Sequence, residues 1–303
     1  MEKFNRRSFF KTSIFGSMAL TSFAKGKSFE NYPDSMGVLV DITKCIGCRS
    51  CEAACNEEQG LPAPSKPFDD KSVLDELHHG QKRRTDASHY TVVNKYTPDV
   101  IDHPLFKKSQ CMHCKEPACQ VSCFVNAYTK TPEGAVIYDE EVCVGCRTCM
   151  VACPFNMPTY KYSSASKPKI VKCKLCYDTR LKNGLVPACV ESCPNGALTF
   201  GKRDKILKIA RRRINKNPDK YVEHIYGELE AGGTSWLYLS PVPFDEVGFD
   251  LDVPKEPIVN YVKNFLTVVP MVLTIWPALF GGFSMLASKK DNTKISSSKD
   301  GDK

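Results

Sequence analysis

The 303 residues contain no glycine-rich nucleotide fingerprint, no nickel or molybdenum site and no nucleophile–base constellation. Each absence removes a class of enzyme, and together they leave the chain without catalytic equipment of its own. No C-x-x-C pair is followed by His, because Cys51, Cys114 and Cys176 precede Glu52, Lys115 and Tyr177, so covalently attached haem is excluded as well. Nor is any cysteine left single: the sixteen fall into four complete groups of four.

The spacing of those groups carries most of the information. Cys45-x2-Cys48-x2-Cys51-x3-Cys55 is repeated as Cys143-x2-Cys146-x2-Cys149-x3-Cys153. Between them lies Cys111-x2-Cys114-x4-Cys119-x3-Cys123, and Cys173-x2-Cys176-x12-Cys189-x3-Cys193 closes the series. Three thiolates on one tight loop with a fourth a few residues on hold a cubic iron–sulfur cluster; in two-cluster ferredoxins the fourth serves the neighbouring cluster. Disulfide frameworks, the default for an even count in an exported chain, do not repeat this spacing. Structural zinc favours C-x2-C pairs but has no use for a third cysteine at the same spacing again. Sixteen ligands at four per cluster imply four [4Fe-4S] clusters. A cluster that acts as a catalyst or sensor needs an open iron, meaning three cysteines without a fourth, and every group here is complete.

The two ends say where such clusters would work. Asn5-Arg6-Arg7-Ser8-Phe9-Phe10-Lys11 precedes an uncharged, moderately apolar stretch from Thr12 to Phe23, then Ala24. This resembles a twin-arginine export signal over residues 1–24, with Ser22-Phe23-Ala24 as the cleavage site. That route carries folded proteins, as clusters assembled in the cytoplasm require. Near the other end, residues 265–287 run without a charge, roughly 35 Å as a helix against a hydrocarbon core of about 30 Å. Lys289, Lys290 and Lys294 follow and only Lys263 precedes. The positive-inside rule then places the 288–303 tail in the cytoplasm and the clusters on the periplasmic side of the inner membrane. Pro270, Pro277 and Gly281-Gly282 suit an anchor packed against a larger membrane subunit.

The formal charge of +8 invites a nucleic-acid reading, which the clusters remove. The signal holds four cations against Glu2, so the rest of the chain carries +5. Each oxidised cluster with four thiolates brings about −2, and the loaded protein is slightly acidic. Lys44, Arg49, Lys115, Arg147, Lys172 and Lys174 lie within or beside the cysteine loops. They are expected to offset cluster charge and raise reduction potentials.

The chain also repeats itself. Gly37-Val-Leu-Val-Asp-Ile-Thr-Lys-Cys45-Ile-Gly-Cys48-Arg-Ser-Cys51 matches Ala135-Val-Ile-Tyr-Asp-Glu-Glu-Val-Cys143-Val-Gly-Cys146-Arg-Thr-Cys149 at an offset of 98. Val38–Val40 and Val136–Tyr138 read as strands entering cysteine loops, and Ala197–Phe200 and Ala127–Thr129 as closing strands. Cys55 and Cys153 are each expected to end a helical turn. The expected fold is α+β: a duplicated bacterial-type ferredoxin fold over residues 36–201 with insertions, plus one C-terminal transmembrane helix. Residues 56–110, free of cysteine up to Gln110, read as a long partner-binding insertion, with His78-His79 solvated. Residues 202–260 read as a helix from Asp204 to Asn217, stopped by Pro218, and a linker with a short strand near Trp236.

From Met36 to about Phe249 the chain resembles the four-cluster iron–sulfur subunits of periplasmic redox complexes: formate dehydrogenase, the DMSO and polysulfide reductases, and nitrite-reduction electron carriers. Cys111-Met-His-Cys114, Cys143-Val-Gly-Cys146-Arg-Thr-Cys149-Met-Val-Ala-Cys153-Pro154 and Cys173-Lys-Leu-Cys176 carry that resemblance. The export signal, the terminal anchor and Tyr226-Gly227-Glu228…Gly232-Gly233-Thr234 make it most similar to the iron–sulfur component of membrane-bound nickel–iron hydrogenases. The resemblance implies crossed ligation: Cys45, Cys48, Cys51 and Cys193 on one cluster; Cys173, Cys176, Cys189 and Cys55 on a second. Cys111, Cys114, Cys119 and Cys153 would hold a third, and Cys143, Cys146, Cys149 and Cys123 the fourth. It implies a non-catalytic subunit relaying electrons between a periplasmic catalytic subunit and a quinone-reactive integral membrane subunit. Membrane lipid surrounds the anchor, and nucleic acid is no partner. The alternatives are a formate dehydrogenase or molybdopterin-dependent sulfur-compound reductase, or a quinol-to-cytochrome carrier. Asn56 and Phe124 depart from the pattern, standing where the family usually has Pro.

Overall fold

The computed structural model describes residues 32, 34–162 and 169–297. The export signal expected at 1–24 lies outside them. The chain divides into two units, Met1–Pro257 and Ile258–Lys303.

In the first unit, β1 (Met36–Asp41) leads through a short turn into the first cysteine loop and α1 (Ser50–Glu58). The insertion follows, and it is ordered rather than a structureless loop. It forms a helical turn at Lys71–Asp75, the paired β2 (Leu77–His78) and β3 (Gln81–Lys82), and the antiparallel β4 (Thr91–Tyr96) and β5 (Leu105–Gln110). β5 runs directly into Cys111. Next come α2 (Ala118–Val121), the β6 (Tyr128–Lys130) and β7 (Val136–Tyr138) pair, α3 (Thr148–Ala152), and the β8 (Thr159–Lys161) and β9 (Lys169–Val171) pair. α4 (Ala188–Glu191), β10 (Leu198–Lys202), α5 (Arg203–Lys216) and β11 (Trp236–Leu239) complete the unit.

β1 is the centre of a three-stranded sheet. β10 pairs with it antiparallel, Val38 opposite Phe200, and β11 parallel, Val38 opposite Trp236. The period of two along these strands divides the core. Val38, Val40, Trp236 and Tyr238 point to the cysteine loops, where Met112, Leu175 and Leu198 pack on them. Leu39, Leu237 and Leu239 point to the opposite face and bury Ile206, Ala210 and Ile214 of α5. Those three residues recur every four positions, which gives α5 one apolar stripe; Asp204 in its first turn and Arg213 and Lys216 in its last suit the helix dipole. A smaller core of Tyr128, Val136 and Ile170 packs with Cys119 and Cys149.

The offset of 98 is visible in the backbone. Gly47 and Gly145 take φ of +66° and +71°, and Arg49 and Arg147 take +64° and +62° where α1 and α3 begin. A second duplication, concealed by unequal cysteine spacing, relates the second and fourth groups. His113 and Leu175, each just before a cysteine, are left-handed at φ +48° and +58°. α2 and α4 both follow a proline, Pro117 and Pro187. The extra length in the fourth group is taken up by a turn at Leu181–Asn183. α1 packs on α4 and α2 on α3.

α1 departs from expectation by continuing past Cys55 to Glu58. The helices before Cys153-Pro154 and Cys193-Pro194 end at Ala152 and Glu191. Asn56 permits the extension, because a proline there would remove a helical donor, but it does not compel it: α2 ends at Val121 although Phe124 is no proline either.

The second unit holds α6 (Ile258–Ser297). Val268, Met271, Leu273, Ile275, Trp276, Leu279, Phe280 and Phe283 are exposed on it. Among the described residues no helix is long and apolar enough to cross a membrane. The anchor expected at 265–287 includes positions 265–267, 270 and 285–287, whose side chains lie outside the described set.

Candidate iron–sulfur centres

Each cysteine loop is bent by residues in the left-handed region: Gly47 and Arg49, His113, Gly145 and Arg147, and Leu175 and Cys176. The first loop is also gripped from outside. A Cβ at Gly47 would come within 2.4 Å of the Phe106 ring on β5, so only glycine lets the loop approach the insertion this closely. Lys71 Nζ donates to the Cys48 and Gly47 carbonyls at 2.8 and 3.3 Å. Arg49 Nη1 donates to the Pro67 and Asp70 carbonyls at 2.9 and 3.0 Å. Behind it, buried Glu52 accepts from Arg49 at 2.9 Å, Arg83 at 2.7 Å and the Val93 backbone N–H at 2.6 Å.

The thiols gather in four neighbourhoods. Cys45, Cys48, Cys51 and Cys193 line one pocket with Val40, Val93 and Leu198. Cys55 has Cys173, Cys189 and Cys176 as its electrostatic neighbours. Cys114 has Cys153, Cys111 and Cys119. Cys149 has Cys123, Cys143 and Cys146. Three electrostatic neighbour relations link these sets in a row: Cys51 with Cys189, Cys173 with Cys111, and Cys119 with Cys149. Among the described residues no three His, Cys, Asp or Glu are gathered tightly enough for a single ion. A cubane instead spreads its thiolates over separate corner irons.

The surroundings suit such a group. Burial pushes the Cys45 and Cys153 thiols up to about 11 and the Cys173 thiol to about 12, so thiolates here require a nearby positive centre, which iron provides. Backbone N–H groups of Gly145, Leu175 and Ala127 donate to the sulfurs of Cys143, Cys173 and Cys123, each at 3.3 Å. His113 Nδ1 accepts from the Val136 N–H at 2.9 Å. Its fully buried Nε2 has no partner among the described residues, and a sulfur-rich group beside the loop would satisfy it. Only Cys146 is exposed, and the Thr148 hydroxyl that donates to it lowers its pKa.

Of the cations singled out in the sequence, Lys172 is buried, with its Nζ on the Val136 and Cys173 carbonyls, and it bears on Cys119 and Cys153. Arg49 is buried but committed to Glu52. Arg147 stacks over Tyr160 and Tyr162 instead. The sequence reading missed two buried lysines. Lys130 Nζ donates to the His113, Cys114 and Gly134 carbonyls at 3.1, 2.9 and 2.6 Å. Lys108, three residues before Cys111, lines the pocket of Cys45, Cys48, Cys51 and Cys193. For Lys108 the available signal was its place three residues before Cys111; Lys130, sixteen residues past Cys114, offered none.

Residues 103–203 match the 4Fe-4S dicluster domain model. A Nitratidesulfovibrio vulgaris protein with no descriptive name is 51% identical over 264 residues, covering 87% of this chain and 70% of its own length. The hydrogenase-2 operon protein HybA of Escherichia coli O157:H7 is 34% identical over 284 residues, covering 83% of this chain and 84% of its own. The nitrate-inducible formate dehydrogenase iron–sulfur subunit of Escherichia coli K12 is 30% identical over 252 residues, covering 80% of each.

Proposed function

Because the chain belongs to the family of 4Fe-4S electron-transfer subunits that includes HybA and the formate dehydrogenase iron–sulfur subunit, we propose that it relays electrons through four [4Fe-4S] clusters. Its catalytic partner lies outside the cytoplasmic membrane, and a quinone-reactive membrane subunit lies at the other end of the path. A [4Fe-4S] cluster supplies one-electron acceptance and donation. The protein supplies position. Cys45, Cys48, Cys51 and Cys193 hold one cluster; Cys55, Cys173, Cys176 and Cys189 the next; Cys111, Cys114, Cys119 and Cys153 the third; Cys123, Cys143, Cys146 and Cys149 the last. The observation that carries this reading is the row of neighbouring thiols Cys51–Cys189, Cys173–Cys111 and Cys119–Cys149, which orders the four sets without a branch.

The ends of that row reach the surface. Cys146 is exposed, as are Val142, Val144, Val151 and Phe124 around its loop. At the first loop Ile46 is exposed. Apolar surface beside a terminal cluster suits a redox partner, which must come close and exclude water. Arg6-Arg7 directs export of the loaded protein, residues 265–287 form the anchor in membrane lipid, and the 288–303 tail stays in the cytoplasm. The uncharged run and the lysines after it support this.

The catalytic partner most consistent with the relatives is a nickel–iron hydrogenase; a formate dehydrogenase, a molybdopterin-dependent reductase or a quinol-to-cytochrome path is the second reading. Membranes with and without this chain, given hydrogen or formate, test the proposal. Its removal should abolish quinone reduction by one of these donors while dye reduction by the catalytic subunit continues. Unchanged quinone reduction with both donors would overturn it.

A further inference from the structure

Lys108 lies on β5, a strand of the insertion, yet its side chain is almost completely buried among cysteine loops. Its Nζ bonds are to neutral oxygens, Thr91 Oγ1 at 2.8 Å and Gln110 Oε1 at 2.8 Å. The ammonium also sits 4.4 Å from the centre of the Trp236 ring. Gln110 is held in turn by Tyr238, whose hydroxyl accepts from Gln110 Nε2 at 2.7 Å and donates to the Lys108 carbonyl at 3.0 Å. Among the described residues no carboxylate pairs with Lys108. A buried cation with only neutral partners costs several kcal/mol unless a negative group compensates it. The groups it faces are thiols of two sets: it lines the pocket of Cys45, Cys51 and Cys193, and it acts on Cys173 and Cys55 of the next.

Resting on the four-cluster reading above, we infer that Lys108 is a positioning charge shared by the first two clusters, raising the reduction potential of both. The insertion would then be a redox-tuning element as well as a cover for the first loop. The physics is direct. Each reduction adds one electron, hence one negative charge, beside a fixed ammonium in a site of low polarisability, so the reduced state gains more than the oxidised state. No proton moves and no other group is consumed.

Lys107, the preceding residue, provides the control. The strand turns its side chain to the opposite face, where Nζ donates to the Gly248 carbonyl at 2.6 Å and lies over the Phe249 and Tyr96 rings. It is as buried as Lys108 in practice, but burial alone shifts its pKa and no cysteine bears on it.

The test is a potentiometric titration of the anaerobically purified full chain, followed by low-temperature EPR, for K108M, K108Q, K108R and K107M. Iron and sulfide are measured first; wild-type protein without clusters would refute the function reading and leave nothing for Lys108 to tune. With clusters in place, K108M should make two reduction equilibria at least tenfold less favourable, about 59 mV for a one-electron couple. K108Q replaces it if K108M does not assemble. K108R, which keeps the charge, should restore the wild-type potentials, and K107M should leave them unchanged. Fully loaded K108M or K108Q with wild-type potentials, or K107M with an equal shift, would overturn the inference.

Discussion

Cys193 and Cys45 line one pocket, although they belong to the last and first cysteine groups in the chain. The closing cysteine of one loop thus reaches the neighbourhood of another, and helix packing brings this about: α4, which precedes Cys193, lies on α1, and Ser192 Oγ donates to the Ser50 carbonyl at 3.3 Å. Ligation should therefore follow space rather than sequence. C193S and C45S should perturb the same EPR component, while C55S should perturb the component that C173S does. If C193S and C173S alter one signal and C45S another, crossed ligation is wrong.

Glu52 joins the first cysteine loop to the insertion. It is buried between Arg49 and Arg83 and also holds the Val93 N–H. E52A leaves two buried guanidinium groups unbalanced, a change that costs about 3–5 kcal/mol. Anaerobic melting followed by loss of cluster absorbance should show a lower midpoint than wild type, with the cluster of the first loop released earliest. A midpoint within a degree of wild type would mean that the insertion is not held this way.

The sequence made the four cysteine groups, β1, β7, α5 and the strand at Trp236 legible, because metal-ligand spacing and apolar periodicity are local signals. It hid the β4–β5 hairpin. Nothing local distinguishes Lys107 from Lys108 in β5, or says that one meets aromatic rings and the other lines a pocket of cysteines. The relation between the second and fourth groups was hidden as well, since the turn at Leu181–Asn183 lengthens one loop while the backbone at His113 and Leu175 keeps one shape. The helix past Cys55 was hidden too, since Asn56 permits it without compelling it.

Lys107 gives a pH dependence. The Gly248 carbonyl and the rings of Tyr96 and Phe249 favour its charge, but burial outweighs them and lowers its pKa to about 7. In the unfolded chain it titrates near 10.4, so between those values the unfolded state binds the extra proton and stability rises with pH. Relative to K107M, wild-type stability should climb by about 1 kcal/mol per pH unit between pH 7 and 9 in denaturant unfolding. Parallel curves for the two proteins would contradict this.

Export and anchoring make a separate prediction. Changing Arg6 and Arg7 to Lys should trap loaded precursor in the cytoplasm. Ending the chain at Asn264 should release a periplasmic protein that keeps its clusters but loses quinone reduction. An anchorless chain with full quinone reduction would show that the helix is dispensable for coupling, and a tail that protease reaches from the periplasm would reverse the topology.

The most direct test of the central claim is the iron and acid-labile sulfide content of the anaerobically purified full chain. Four complete cubanes require about sixteen of each per chain, whereas about eight of each would show that only two of the four thiol sets carry clusters and would break the relay.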